Sequence, residues 1–190
     1  MEHTSALSLS PIRGLIQWIR LYQLYRSSFP EYERKSLRML LRMRRKGKMD
    51  IWYCKNGKDF IGLAITLNGE NLILLDYFAV VPGQRSGGFG SALLHKLKEL
   101  YPGKGLFVEI ESVYEDVDNL EERQRRKQFY LKNGMRQMNV MASVFEVKME
   151  LLCSDCEVDF AGYHQFYYDN FNAWAASHIT EAEHPEATSI

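Results

Sequence analysis

The feature that most constrains this chain is a glycine-rich loop between a long apolar strand and a helix. The predicted strand, 71–81, is interrupted by Asp76, and the loop at 83–90 opens a helix predicted at 88–101. Amides at a helix N-terminus have no partner within the helix and carry partial positive charge, and glycines let a ligand approach the backbone. The order of strand, glycine loop and helix therefore predicts a cradle for an anion such as a phosphate group.

Hydrophobic periodicity predicts further helices and strands on both sides of this loop. The helices are expected at 12–27, 31–46, 119–133 and within the aromatic-rich segment 157–177, and the other strands at 50–55, 59–67, 105–111, 137–142 and 144–152. Asn56-Gly57 is a strong hairpin signal and Asn68-Gly69 provides the next turn. Because the early strands are joined by hairpins, we expect an α/β fold of the α+β type, with a mixed, mostly antiparallel central sheet flanked by helices.

Length and composition favour an ordinary globular protein. The chain has 190 residues, of which 46% are hydrophobic and 25% charged, which fits one domain with an appendage and excludes a disordered chain. Three cysteines are too few for a secreted disulfide framework, and neither a membrane-spanning run nor a signal peptide is evident. We therefore expect a cytoplasmic protein without a membrane partner. A homodimer is possible.

The net charge of zero hides a strong asymmetry along the chain. Residues 34–48 contain eight basic residues and no acid, whereas 153–190 contain seven acids and neither lysine nor arginine. The basic run is typical of a solvated helix face, with a helix that flanks an anionic ligand as the alternative. A nucleic-acid partner is not expected, because domains that bind nucleic acids are usually strongly basic.

The glycine loop does not match two common phosphate-binding motifs. A P-loop needs a lysine beside its glycines, and none lies there. A dinucleotide fingerprint needs a third glycine, but Gly88-x-Gly90 is followed by Leu93 at that position. Taken alone, the glycines are also compatible with a tight turn between strand and helix.

The complete amino-acid sequence of the loop is more specific than its glycines alone. Arg85-x-x-Gly88-x-Gly90, preceded by Val80-x-Pro82 and followed by two leucines, resembles the acetyl-CoA pyrophosphate loop of the GNAT acyltransferase superfamily. Downstream, Phe129-Tyr130-x-x-x-Gly134-Met135 is similar to the aromatic-Tyr-x-x-x-Gly-Phe signature of that family, with Met135 replacing the usual phenylalanine. Residues 12–152 follow the element order of the family.

The resemblance implies a fold and a coenzyme site. The central strands would splay apart, and pantetheine would pair with the backbone of Phe78, Ala79 and Val80. The pyrophosphate would lie on the amides of the loop, namely Arg85, Ser86, Gly87, Gly88, Phe89, Gly90 and Ser91. Many members have an asparagine where this chain has Arg123, so Asn119 is the candidate to replace that coenzyme contact. Acetyl-CoA is the implied co-substrate.

The resemblance also implies two catalytic residues. Glu109 matches a glutamate that some members use, through water, to deprotonate the amine, and Tyr130 matches the tyrosine that protonates the departing thiolate. Strand alternation places Glu109 and Glu111 on one face, so Glu111 and Asp76 stay open as alternative bases. Each acid could instead pair with a basic residue, and Tyr130 could serve only core packing.

Residues 153–190 lie outside the resemblance. We expect 1–152 to form the GNAT-like acetyltransferase domain, with 153–190 as an aromatic and acidic extension packed on it and a frayed end. Cys153-x-x-Cys156 invites a zinc or redox interpretation, but only His164 and Cys54 are conceivable further ligands, and zinc needs four. No metal is therefore predicted.

The function expected from this resemblance is N-acetyl transfer from acetyl-CoA to a primary amine of a small molecule or peptide, by direct attack in a ternary complex. The alternative is a non-catalytic acyl-CoA-binding regulatory module, because a fold does not fix a function. The acceptor stays open among polyamines, amino sugars, antibiotics, amino acids and peptide N-termini.

Overall fold

The computed structural model describes residues 6–183, apart from the side chain of Ser86. Eight strands are present in this part of the chain: β1 (Leu7–Pro11), β2 (Met49–Asn56), β3 (Asp59–Asn68), β4 (Leu72–Val80), β5 (Gly105–Glu111), β6 (Arg136–Val144), β7 (Val147–Ser154) and β8 (Ile179–Ala182). The α-helices of the same part are α1 (Gly14–Ser28), α2 (Leu37–Arg45), α3 (Phe89–Glu99), α4 (Leu120–Lys132), α5 (Phe160–Asn170) and α6 (Ala173–Ala176). No helix within residues 6–183 is long and apolar enough to cross a membrane.

The described part of the chain forms two compact units. The first unit comprises the described part of Met1–Asn68 together with Leu75–Pro102. The second comprises Gly69–Leu74 together with the described part of Gly103–Ile190.

The first unit is built on the strand order β1-β2-β3-β4, with β1 antiparallel to β2 and β2 antiparallel to β3. The hairpin predicted at Asn56-Gly57 is confirmed, and Gly57 has the positive φ of 58° that such a turn requires. In β3, seven successive residues from Ile61 to Leu67 are buried, so this strand is covered on both faces.

The two N-terminal helices differ in detail from the sequence prediction. The apolar residues Leu15, Ile16 and Ile19 are exposed, and α1 buries Leu21, Leu24 and Tyr25 instead. The helix predicted at 31–46 begins only at Leu37, because the Ser36 hydroxyl caps it by accepting the Met39 amide at 3.3 Å. A short 3-10 turn, Glu31–Glu33, precedes this cap.

The second unit has the strand order β4-β5-β7-β6-β8. Leu72–Leu74 of β4 run parallel to Gly105–Phe107 of β5, whereas β5 with β7, β7 with β6 and β6 with β8 are antiparallel. The predicted α/β fold with a mostly antiparallel sheet and flanking helices is therefore confirmed.

Two short strands and the division of the C-terminal helix were not predicted from the sequence. β1 pairs with β2 through Leu7–Pro11, and β8 pairs with β6 from Ile179↔Val144 onward. The aromatic segment forms α5 and then α6, because the Asn172 side chain accepts the Ala175 amide at 2.9 Å and begins a new helix. Near the end of the extension Ile179–Ala182 forms β8, whereas residues 184–190, where a frayed end was expected, lie outside the described residues.

Candidate active site

The glycine loop lies in the first unit. A 3-10 turn, Pro82–Gly87, follows β4, and Gly88 then stands directly before α3. The Gly88 carbonyl accepts the Ala92 amide at 3.1 Å as the first helical hydrogen bond. The amides of Phe89, Gly90 and Ser91 precede that bond, so they have no acceptor within the helix and can bind an anion.

Gly88 has a conformation that suits glycine. Its φ is +72°, in the left-handed region that other residues rarely adopt. A Cβ atom built at Gly88 would meet nothing within 4 Å, whereas one at Gly87 would lie 3.0 Å from the Phe89 ring. The loop is therefore open at Gly88, which is exposed.

Two side chains fix the ends of the loop. Phe89 is buried in a cluster with Val80 and Leu93, which anchors the start of α3. Arg85 is exposed, and its Nε donates to the Val80 carbonyl at 3.3 Å. The backbone of Ser86 lies within the 3-10 turn between them.

The last residues of β4 hold the backbone positions predicted to contact pantetheine. Ala79 and Val80 are buried and Phe78 is half-buried. A Cβ atom at Gly62 of β3 would clash with the Ala79 carbonyl oxygen, so a glycine is needed there for the two strands to approach. The Val81 amide donates to the Ile61 carbonyl at 2.8 Å, which continues this contact past β4.

Asp76 of β4 is an ion-pair partner. Its Oδ1 atom lies 2.8 Å from Lys35 Nζ, and its side chain is only 9% exposed. The neighbouring Tyr77 hydroxyl donates to the Glu33 carbonyl at 2.6 Å and accepts the Lys35 amide at 3.1 Å. The segment before α2 is thereby fixed to β4, and a role of Asp76 as the base stays a prediction.

Glu109 lies on β5 in the second unit, and two tyrosines of α5 bind it. The Tyr163 hydroxyl donates to Oε1 at 2.9 Å, and the Tyr167 hydroxyl lies 2.8 Å from both Oε1 and Oε2. Glu109 is half-buried, whereas Tyr163 is fully buried. Burial, followed by the charge of Glu109, raises the pKa of the Tyr163 phenol well above its usual value, so Tyr163 stays a donor.

Glu111, the alternative base on the same strand, forms ion pairs with α4. Its Oε1 atom lies 2.8 Å from Arg123 Nη2, and its Oε2 atom lies 3.5 Å from Arg126 Nη1. Arg123 also donates to the Ser112 carbonyl at 3.0 Å. These contacts give Glu111 a structural function in attaching α4 to the end of β5.

Tyr130 lies on α4 and is 8% exposed. Among residues 6–183 its hydroxyl has no hydrogen-bond partner, so it is free to donate to a ligand. Burial raises the pKa of Tyr130 to about 12, against a smaller lowering by Arg126. The phenol therefore keeps its proton throughout the neutral range.

Asn119 stands at the start of α4. Its backbone carbonyl accepts the Glu122 and Arg123 amides at 3.0 and 3.1 Å. Its side chain is exposed and makes no capping hydrogen bond to the helix. The side chain is thus available for another contact, and its predicted contact with the coenzyme stays a prediction.

Sequence reasoning missed two features of the second unit. The first is the pair Tyr163 and Tyr167, whose spacing of four residues in an aromatic helix was the only available signal. The second is a buried ion pair: Lys127 Nζ lies 2.5 Å from Oε2 of the fully buried Glu150, whose Oε1 accepts the Val113 amide at 2.8 Å. Nothing in the local sequence pairs these positions.

The cysteine motif at the end of β7 holds free thiols. The Cys153 thiol donates to the Cys156 carbonyl at 2.5 Å, and burial raises the pKa of the Cys156 thiol. In the described part of the chain, no three of the residues His, Cys, Asp and Glu come together in a way that could hold a metal ion.

These features correspond to a known family. The model of the acetyltransferase (GNAT) family matches residues 18–135. Since this match covers more than half of the chain, the protein belongs to the GNAT family. The matched segment includes the glycine loop, Glu109, Asn119 and Tyr130. No functionally curated protein matches the chain.

Three solved structures share the fold with this chain at low sequence identity. A protein described as an acetyltransferase of the GNAT family from Bacteroides thetaiotaomicron is 19% identical with a TM-score of 0.74, covering 89% of this chain and 98% of that one. The ribosomal-protein-S18-alanine N-acetyltransferase of Escherichia coli is 14% identical with a TM-score of 0.59, covering 80% and 96%. Arabidopsis thaliana NAA60 in complex with acetyl-CoA is 15% identical with a TM-score of 0.59, covering 78% and 97%.

Proposed function

We propose that this GNAT protein transfers an acetyl group from acetyl-CoA to a primary amine of a small molecule or peptide, by direct attack in a ternary complex. The observation that carries the proposal is the open, left-handed Gly88 directly before α3, in a chain that belongs to an acetyltransferase family. NAA60, which shares the fold, has been solved with acetyl-CoA, which supports the same co-substrate here.

The coenzyme half of the proposal rests on the first unit. The pyrophosphate binds the backbone amides between Arg85 and Ser91, and pantetheine pairs with β4 from Phe78 to Val80. The exposed surface at Gly88 and the amides at the start of α3, which lack an acceptor within the helix, fit this function. A polar contact from Asn119, which belongs to the second unit, to the coenzyme stays part of the proposal. No metal takes part in this proposal.

The chemical half rests on the second unit. Glu109, as an ionised acceptor of tyrosine hydroxyls, can take a proton from the amine through water. The amine nitrogen then forms its bond to the thioester carbonyl carbon, the carbon–sulfur bond breaks, and the electron pair goes to sulfur. The proton removed from the amine balances the one that the coenzyme thiol finally carries.

Tyr130 stabilises the leaving sulfur in this scheme. A thiol ordinarily has a pKa of about 8.5. Since burial raises the pKa of Tyr130 to about 12, full proton transfer to the thiolate would be uphill. Tyr130 therefore acts mainly as a hydrogen-bond donor to sulfur while the carbon–sulfur bond breaks, and proton delivery is completed through solvent.

The proposal keeps the domain organisation that was expected from the sequence. Residues 1–152 form the acetyltransferase domain, and 153–190 form an extension on the same domain. Within the described part of this extension, α5 packs on β5, with ring centroids of Phe107 and Phe166 5.2 Å apart.

A thiol-release screen tests the proposal. Purified protein is mixed with acetyl-CoA and a panel of polyamines, amino sugars, amino acids and peptides, and free coenzyme A thiol is measured. We expect release that depends on both protein and amine. Tight acetyl-CoA binding without release for any amine would favour the regulatory module instead.

A further inference from the structure

The C-terminal extension brings helix α5 onto the strand that carries Glu109. Asp159 caps α5 by accepting the Gly162 amide at 2.8 Å. Tyr163, Phe166 and Tyr167 then occupy one buried face, with spacings of three and four residues. Because the Phe107 ring contacts Tyr163 and Phe166, this face of α5 covers the same side of β5 as Glu109.

The contacts at Glu109 suit an ionised carboxylate. An ionised carboxylate only accepts hydrogen bonds, and the hydroxyls of Tyr163 and Tyr167 both donate to Glu109. Two donors to the charged form stabilise it and restrict the rotamers of the side chain.

Other charges near Glu109 are balanced separately. On its own strand, Glu111 is paired with Arg123 and Arg126 of α4. On the adjacent strand β7, the residue opposite Glu109 is the uncharged Leu151. From α5, the hydroxyls of Tyr163 and Tyr167 bind Glu109, and a phenylalanine substitution at either position removes that contact.

We propose that Tyr163 and Tyr167 are positioning residues that hold Glu109 as an oriented, ionised base, so that the C-terminal extension completes the active site. This inference rests on the proposed acetyltransferase function. It gives the extension a role in catalysis, whereas mere docking of α5 on β5 would affect only stability.

The test uses the full-length Tyr163→Phe, Tyr167→Phe and double variants, since phenylalanine keeps the ring and removes the donor. Tyr168→Phe on the same helix is the matched control, because Tyr168 is exposed. The titration of the Glu109 carboxyl carbon is followed by NMR, with Glu109→Gln assigning the signal. The pH profile of kcat and the Kd for acetyl-CoA are measured in parallel.

In the double variant we expect the Glu109 titration midpoint to rise, because two donors to the ionised form are lost. The acidic limb of kcat should move with it, which lowers kcat about tenfold on that limb, while the Kd for acetyl-CoA stays within about twofold. Tyr168→Phe should change none of these. If the double variant does not fold, Tyr167→Phe alone removes the hydroxyl that contacts both oxygens.

An active wild-type protein whose pH profile is unchanged in these variants would overturn the inference and leave the tyrosines as anchors of α5. A wild-type protein that releases no thiol with any amine would overturn the proposed function itself. These two failures are distinguishable, because only the second appears in the wild type.

Discussion

Substitutions of Gly88 have two expected effects, one on the stability of the protein and one on coenzyme binding, and these can be measured separately. A side chain at a φ of +72° costs about 1–2 kcal/mol, and a Cβ atom there meets nothing within 4 Å, so no steric cost adds to it. Gly88→Val should therefore fold, with a melting temperature lowered by about 2–8 °C. Thermal unfolding measured by circular dichroism checks this part of the prediction.

Gly88→Val should also weaken coenzyme binding, and this loss of affinity should exceed what the loss of stability alone would cause. The valine side chain fills the open surface where the pyrophosphate is proposed to approach, and one lost charge-assisted contact is worth about 1.5–3 kcal/mol. The Kd for coenzyme A should then rise at least about tenfold, as measured by calorimetry. Gly88→Asn should show the same loss of affinity with less loss of stability, because asparagine tolerates the left-handed region.

Gly83→Ala is the matched control within the same loop. Gly83 is exposed and lies outside the left-handed region, and a Cβ atom there also meets nothing within 4 Å. Its stability and affinity should equal those of the wild type. A folded Gly88→Val protein that binds coenzyme A as tightly as the wild type would refute the assignment of this loop to the pyrophosphate.

Three further substitutions test other parts of the structure. Tyr130→Phe should lower turnover by about 10²-fold or more, with little change in the Kd for coenzyme A. Full turnover of this variant in the thiol-release assay would show that another group donates to the leaving sulfur. Lys127→Met leaves the charge of Glu150 buried and should cost about 3–5 kcal/mol in urea unfolding, and a cost below about 1 kcal/mol would contradict a buried pair. Gly62→Ala forces a Cβ atom onto the Ala79 carbonyl and should lower stability by about 1–3 kcal/mol, whereas an unchanged melting temperature would refute the close approach.

Alkaline pH provides a test that needs no ligand. The pKa of Tyr130 is raised from 10 to about 12, so folding favours the protonated phenol. The contribution of Tyr130 to stability is complete below about pH 10 and is lost as the pH rises toward 12. Urea unfolding at pH 9 and pH 11 should show a smaller decline in Tyr130→Phe than in the wild type, and equal declines would contradict the burial of this hydroxyl.

Local patterns were sufficient for the central elements of the fold. Alternation and Asn-Gly turns predicted β2 and β3, and the glycine loop predicted the start of α3, because these signals depend on neighbouring residues. β1 and β8 were missed because short edge strands depend on pairing with β2 and β6, which lie far away in sequence. Helical spacing likewise does not say which side of α1 is buried.

In the candidate site, too, local motifs could be predicted from the sequence, whereas contacts between distant residues could not. The resemblance assigned Glu109 and Tyr130 from their motifs, and the left-handed Gly88 agrees with the glycine that the loop requires. The partners of the acidic residues could not be predicted, since Glu109 meets Tyr163 and Tyr167 more than 50 positions later, and Asp76 meets Lys35 from another element. Tertiary contacts decide whether a carboxylate is available for chemistry or bound in an ion pair.

Transfer of a labelled acetyl group tests the account most directly. The protein is incubated with acetyl-CoA labelled in the acetyl group and with the amine that gives the fastest thiol release, and the products are separated and identified by mass spectrometry. We predict that the label appears in an amide of that amine, in amounts equal to the thiol released, and that the label transferred by Tyr130→Phe falls in proportion to its turnover. Label that stays in acetyl-CoA while the protein binds it tightly would contradict the acetyltransferase function and leave only coenzyme binding.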